Sequence, residues 1–195
     1  MKRSERWVRR GKEIAQNPKA IWIFGGISAL ESAFLPIPID VVLFPVALAH
    51  RVHLWWVVLS GAVGSLVGAV LGYLIGYFAY NTIGIWLLTI LGLSGQSEVF
   101  QDLLSSYGWW ALVIAGLTPL PFKVAAILSG VAALSFFPFL IVVFCVRYVR
   151  FAFGAVLVLL FGDLLDRWLT KNPKGFAIGM LLLMLFGFAV LPFFV

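Results

Sequence analysis

The sequence predicts an all-α integral membrane protein with two inverted repeats, each a re-entrant helical hairpin followed by a spanning helix. Of its 195 residues, 63% are hydrophobic and only 11% are charged, and the mean hydropathy is +1.07, far above the values of soluble domains. The sequence lacks the alternating segments of about ten residues that form membrane barrels. The third observation is a proline motif that occurs twice within apolar stretches.

Each copy of this motif has the form Pro-x-Pro and lies close to an ionisable residue. Asp40 follows the first copy, and Lys123 follows the second, 83 residues later in the chain. A helix cannot continue unbroken through Pro-x-Pro, because each proline lacks an amide donor and clashes with the preceding turn. Broken helices at matching positions of two half-repeats indicate a transport site. The predicted breaks are at Pro36, Pro38, Pro119 and Pro121.

The first half of the chain contains an interfacial segment, a hairpin and a spanning helix. Residues 1–19 hold seven of the fourteen Lys and Arg residues, which predicts a basic interfacial helix. Residues 20–49 form two arms of about 10 to 12 residues, or about 15 to 18 Å. Because neither arm crosses a hydrocarbon core of about 30 Å, we predict a re-entrant hairpin. The uninterrupted run over 54–80 predicts the first spanning helix.

This first spanning helix carries a row of glycines, most of them four residues apart. Such a row leaves one helix face open to close approach by another backbone. We interpret these residues as helix-packing positions: Gly61, Gly64, Gly68, Gly72 and Gly76.

The second half repeats the order of the first. A polar linker over 81–108 precedes a second re-entrant segment over 109–134 and a second spanning helix over 136–162. These elements belong to a membrane domain over 20–165. Residues 166–195 are assigned to a charged linker and a C-terminal transmembrane helix.

Charge placement predicts the topology. If each hairpin returns to its own side, the segments 1–19, 50–53 and 163–174 lie on one side and hold eleven of the fourteen basic residues. The opposite segment, 81–108, holds none. The positive-inside rule then predicts a multi-pass protein with a cytoplasmic N-terminus, whose hairpins enter from opposite faces.

Five charged residues are predicted to meet between the hairpin tips, where they would form a substrate and proton pathway. A charge at the bilayer centre costs about 2.5 to 3.5 kcal/mol, which predicts a polar cavity reached by water. Two acids and three bases give a net charge of +1, which favours an anion such as phosphate, and arginine can hold phosphate through two parallel hydrogen bonds. The alternative is that these groups form structural ion pairs. The five are Glu31, Asp40, Lys123, Arg147 and Arg150.

Other classes of function find little support in the sequence. Cys145 is the only cysteine and cannot by itself form a disulfide or a thiolate metal site, so we predict no cofactor and no metal. Catalytic motifs such as His-Glu-x-x-His and Gly-x-Ser-x-Gly are absent, which argues against an enzyme. The basic residues lie beside membrane segments, so anionic lipid is the expected partner and nucleic acid is not.

The segments 31–40 (ESAFLPIPID) and 116–123 (GLTPLPFK), with Ser129-Gly130 and the glycine-spaced helix between them, resemble the DedA superfamily, also called the SNARE-associated or VTT-domain family. The likeness covers about residues 20–165 and is strongest to the YqaA-like bacterial branch. It implies two facing re-entrant hairpins, a role in moving lipids between leaflets, and a place in the bacterial cytoplasmic membrane.

Bacterial members of this family are linked to undecaprenyl phosphate recycling, to phosphatidylethanolamine movement and to the proton gradient. By resemblance, the essential acids match Glu31 and Asp40, and the basic residue of the second hairpin matches Lys123. Typical members carry an arginine where this chain has Gly116 and Leu117. Arg147 or Arg150 is expected to supply that charge.

The sequence therefore predicts a lipid translocase of the flippase or scramblase type that acts on phosphate-bearing lipids, with proton coupling as an added feature. Two alternatives are a non-transporting membrane organiser that docks partners on its glycine face and a proton-coupled carrier of a small anion. The sequence leaves open whether the protein forms a homo-oligomer.

Overall fold

The computed structural model describes residues 17–33, 39–79, 85–90, 102, 104–117, 122–171, 175 and 179. Within these ranges every regular element is helical and no strand occurs, so the all-α prediction is confirmed for the described residues. The four motif prolines lie outside them, as do nearly all of the predicted interfacial helix over 1–19 and most of the C-terminal helix.

Two pairs of short helices flank the motif positions, and two long helices follow them. We call α1 with α2 the first helix pair and α5 with α6 the second helix pair. A single 3₁₀ turn, Arg51–His53, precedes α3. The helices are α1 (Lys19–Ala33), α2 (Asp40–Ala49), α3 (Leu54–Ala79), α4 (Ile85–Ile90), α5 (Trp110–Leu117), α6 (Phe122–Val131) and α7 (Phe136–Lys171).

Two helical stretches, Arg51–Ala79 and Phe136–Arg167, are long and apolar enough to cross a membrane. The second has non-helical backbone angles at Phe161, one residue before its predicted end at residue 162, and a further helical segment follows this kink to Lys171. Asp163 and Arg167 are four residues apart, a spacing that supports an exposed helix. The charged residues after the kink are therefore helical where the sequence analysis placed a linker.

The long helices α3 and α7 are antiparallel. At one end, both terminal nitrogens of Arg51 donate to Oδ1 of Asp163 at 3.0 Å. Toward the other end, the rings of Tyr73 and Phe139 lie 4.9 Å apart. Residue numbers therefore rise along one helix as they fall along the other, and the two helices form a common wall for both helix pairs.

The first helix pair packs on the N-terminal half of α3, with α1 parallel to it. Ser60 Oγ donates to the Ile21 carbonyl at 2.8 Å, and Ser28 Oγ donates to the Gly61 carbonyl at 2.9 Å. Between them the backbones nearly touch, since a methyl group placed on Gly64 would overlap the carbonyl of Gly25 in α1. This half has its own apolar core, which also includes residues of α2 and the C-terminal half of α7.

The second helix pair packs on the C-terminal half of α3, again with its closest helix parallel to α3. A methyl group on Gly76 would overlap the carbonyl of Ile127 in α6, and one on Gly130 would overlap the carbonyl of Tyr73. A second apolar core joins α5, α6, this half of α3 and the N-terminal half of α7. Each helix pair thus occupies one end of the wall.

The free ends of the first helix pair lie together. Asn17, just before α1, and His50, just after α2, are joined by a 3.2 Å hydrogen bond between the Asn17 carbonyl and His50 Nε2. The chain therefore enters and leaves the first helix pair at the same end of the wall, the end marked by Arg51 and Asp163. In the second pair, α6 ends near Tyr73, whose hydroxyl donates to the carbonyl of Leu134.

Candidate substrate site

The inner ends of both helix pairs meet midway along α7, and all five predicted charged residues lie there. Arg147 is within electrostatic range of Glu31, Asp40 and Arg150, and Lys123 is within range of Glu31 and Arg147. Glu31 stands near the end of α1 and Asp40 at the start of α2. Five residues from four helices therefore form one charged cluster.

Asp40 links the first helix pair to α7. Its Oδ2 accepts a hydrogen bond from Arg150 Nη2 at 3.2 Å. Both side chains are partly exposed, with relative accessibilities of 33% for Asp40 and 27% for Arg150. This ion pair forms the more accessible side of the cluster.

Lys123 links the second helix pair to the first. Its Nζ donates to the backbone carbonyl of Glu31 at 3.3 Å, and the residue is buried. The lysine ammonium thereby hydrogen-bonds a backbone carbonyl in the last described turn of α1. The contact holds the start of α6 against the end of α1.

Arg147 occupies the most enclosed position in the cluster. It is 2% exposed and is the largest of the fully buried side chains among the described residues. Its Cζ lies 4.2 Å from the centroid of the Phe122 ring, a distance at which a guanidinium interacts favourably with an aromatic face. Its Nε is buried and has no hydrogen-bond partner in the part of the chain that the structure describes.

Two buried serines extend the cluster toward α3, and the sequence analysis did not select them. Ser32 Oγ lies 3.3 Å from Oε2 of Glu31 and 2.7 Å from Oγ of Ser65. Their positions in the sequence could have indicated them, because Ser32 is next to Glu31 and Ser65 lies on the same face of α3 as the glycines. Phe122 was also missed, and with 18 phenylalanines in the chain nothing in the sequence singles it out.

The five glycines selected from the sequence all lie at contacts between elements. Gly61 is near the Phe24 and Phe151 rings, and Gly68 faces Ala29 and Ser32 of α1. Gly72 faces Ala126 of α6, while Gly64 and Gly76 lie at the two closest backbone approaches described above. The glycine face of α3 is therefore covered by α1 in one half and by α6 in the other.

This arrangement places a net positive charge inside an apolar helical scaffold. Two carboxylates and three cations leave one positive charge uncompensated, and burial strengthens its attraction for an anion. The guanidinium and ammonium groups are hydrogen-bond donors suited to phosphate or carboxylate oxygens. The fold and the site thus define a helical membrane protein with a buried, charged centre between two helix pairs.

Comparison with known proteins agrees with this class. The VTT domain matches residues 35–160, well over half of the chain. The chain belongs to the VTT-domain family, that is, the DedA family, so the resemblance read from the two motifs is confirmed at the level of the family. Its placement in the YqaA-like branch stays a prediction.

Two similar proteins come from bacteria. An uncharacterized protein of Haemophilus influenzae is 30% identical over 156 residues, which cover 78% of this chain and 79% of that protein. A Histophilus somni protein described as an uncharacterized homolog of HI0703 is 31% identical over 125 residues, covering 64% of this chain and 65% of its own. No solved structure is significantly similar to the chain.

Proposed function

We propose that this protein is a lipid translocase that moves phosphate-bearing lipids, such as undecaprenyl phosphate or phosphatidylethanolamine, between leaflets of the bacterial cytoplasmic membrane. The headgroup passes through the charged cluster while the hydrocarbon chains stay in the bilayer. The observation that carries the proposal is the convergence of Glu31, Asp40, Lys123, Arg147 and Arg150 at the inner ends of the two helix pairs.

The mechanism requires both helix pairs to be re-entrant and to enter from opposite faces. For the first pair, the contact between Asn17 and His50 supports a return to the starting face. The arms α1 and α2 have 15 and 10 residues, or about 22 and 15 Å, and neither spans about 30 Å of hydrocarbon. For the second pair, its position at the opposite end of the antiparallel wall supports entry from the other face.

The charges supply both attraction and release. Uncompensated positive charge attracts a phosphate group, and the carboxylates of Glu31 and Asp40 keep the site from holding the anion too tightly. Proton coupling through Glu31 or Asp40 is part of the proposal, because both acids lie beside the cations of the cluster.

The organiser hypothesis loses its main support. It required the glycine face of α3 to dock a partner, but Gly64 and Gly68 face α1, and Gly72 and Gly76 face α6. Partner docking on this face would require the helix pairs to leave α3, so we favour transport.

The proposal is tested by reconstitution into vesicles that contain fluorescent phosphatidylethanolamine, with leaflet exchange followed by dithionite quenching. Asp40→Asn and Lys123→Ala are each expected to slow exchange by about tenfold or more, because hydrogen bonds to charged groups contribute about 1.5 to 3 kcal/mol. Asp163→Asn is the matched control, since Asp163 also pairs with an arginine but lies exposed at the end of the wall.

The control is expected to exchange lipid at the wild-type rate. Equal rates for wild type, Asp40→Asn and Lys123→Ala would show that the charged cluster is not the transport site. A carrier of a small anion is separated by the same vesicles, because it would move radiolabelled phosphate and leave the labelled lipid in place.

A further inference from the structure

The three cations of the charged cluster differ in how their hydrogen-bonding groups are used. Arg150 is engaged by Asp40, and Lys123 donates to the Glu31 carbonyl. Arg147 is fully buried, yet its Nε has no hydrogen-bond partner among the described residues. An unpartnered buried donor costs about 1 to 3 kcal/mol, so proteins seldom leave one without a reason.

The Phe122 ring lies against this guanidinium. With Cζ 4.2 Å from the ring centroid, the aromatic face covers one side of Arg147. A cation–π contact of this kind restrains a guanidinium without giving Nε–H an acceptor oxygen. Among the described residues, the buried Nε–H therefore stays without an acceptor.

The chemistry of the guanidinium edge that carries Nε–H selects the ligand class. Nε–H and a neighbouring terminal N–H lie parallel, and together they match two oxygens of a phosphate or carboxylate group. Arg147 lies within electrostatic range of Glu31 and Asp40, but its Nε has no hydrogen bond to either carboxylate. Neither carboxylate of the cluster therefore serves as the acceptor for Nε–H.

We propose that Arg147 is the principal phosphate ligand of the site and that Phe122 is the residue that positions it. This inference rests on the proposed function and goes beyond it. It assigns phosphate binding to Arg147, whereas Arg150 holds Asp40. The shared chemistry is a phosphate group, carried by a lipid headgroup or by free phosphate.

The test measures binding of two probes to the full chain in detergent: inorganic phosphate and a short-chain phosphatidic acid, each followed by the ligand-dependent shift in Tm. Arg147→Lys keeps the charge but removes Nε–H and the fork. It is expected to weaken binding of the wild type's preferred probe by about tenfold or more. Arg51→Lys is the control, because Arg51 pairs with Asp163 outside the cluster and its replacement leaves binding unchanged.

The role of Phe122 is tested by a binding measurement that a purely structural role would not affect. Phe122→Leu is expected to weaken binding severalfold even after its unliganded Tm is taken into account, and Phe122→Tyr, which keeps the ring, restores it. Stronger binding of phosphatidic acid than of phosphate identifies a lipid headgroup as the source, and the reverse order identifies free phosphate.

Three results overturn the inference. The first is the absence of a saturable Tm shift with either probe in the wild type, and the second is wild-type binding by Arg147→Lys. The third is a loss of binding in Arg150→Lys while Arg147→Lys still binds the probe. The failure of this inference can be distinguished from the failure of the proposed function. A protein that binds phosphate but exchanges no lipid keeps this site and loses the translocase. One that exchanges lipid while Arg147→Lys binds normally loses only this inference.

Discussion

Replacement of Gly64 by alanine tests the close approach of α1 and α3. The added methyl group would overlap the carbonyl oxygen of Gly25. Because non-bonded heavy atoms rest about 3.5 Å apart or more, the helices must separate by more than about 1 Å. This separation also stretches the hydrogen bonds between α1 and α3 that are made by Ser28, Ser60 and the Ser32–Ser65 pair.

The size of the effect follows from these contacts. Overpacking costs about 1 to 3 kcal/mol, and each interhelical hydrogen bond in a membrane protein contributes about 0.6 kcal/mol. Because the three hydrogen bonds are stretched rather than broken, they add about 1 kcal/mol, and a total loss of about 2 to 4 kcal/mol is expected for Gly64→Ala. For a chain of this length, 1 kcal/mol corresponds to about 2 to 4 °C, so the Tm should fall by about 4 to 16 °C.

The assay is thermal unfolding of the purified protein in detergent, followed by tryptophan fluorescence. Gly26→Ala is the matched control, because it makes the same change in α1, and no atom lies within 4 Å of the added group. Its Tm should stay level or rise, since alanine favours a helix over glycine by about 0.5 to 1 kcal/mol. A wild-type Tm for Gly64→Ala, or an equal fall for Gly26→Ala, would refute the packing argument.

Two further predictions concern the far end of the wall and the topology. Tyr73→Phe removes the hydrogen bond to the Leu134 carbonyl and should lower the Tm by about 2 to 4 °C at about 1 kcal/mol; an unchanged Tm would mean that the bond contributes nothing to stability. With Cys145 replaced by serine, the variant Glu98→Cys should react with an impermeant thiol reagent that is added outside intact cells. Reaction only after permeabilisation would contradict the inverted topology.

The start of α2 could be read from the sequence because proline acts locally. Helix α2 begins at Asp40, two residues after Pro38, and both prolines of the first motif lie outside the described residues. The helical segment after the kink at Phe161 could not be read in the same way. Charged residues are equally typical of an exposed helix and of a linker, and the pairing of Asp163 with Arg51 depends on the tertiary structure.

The members of the charged cluster were predictable, but their partners were not. Asp40, Lys123 and Arg147 could be identified because charged residues are rare within long apolar stretches. Which cation engages Asp40, however, depends on the rotation of α7 about its axis, and the sequence does not specify that angle. The stacking of Arg147 on Phe122 depends on the same rotation together with the position of α6.

The contacts of Arg150 and Lys123 also limit how strongly the proposed site would bind an anion. Arg150 already has the carboxylate of Asp40, and Lys123 already has the Glu31 carbonyl. An anion that recruits either cation would have to displace an internal partner, so the net free energy of binding would be the difference between two similar interactions. Under the proposed function, binding would then be brief and reversible, because the displaced carboxylate or carbonyl competes with the anion.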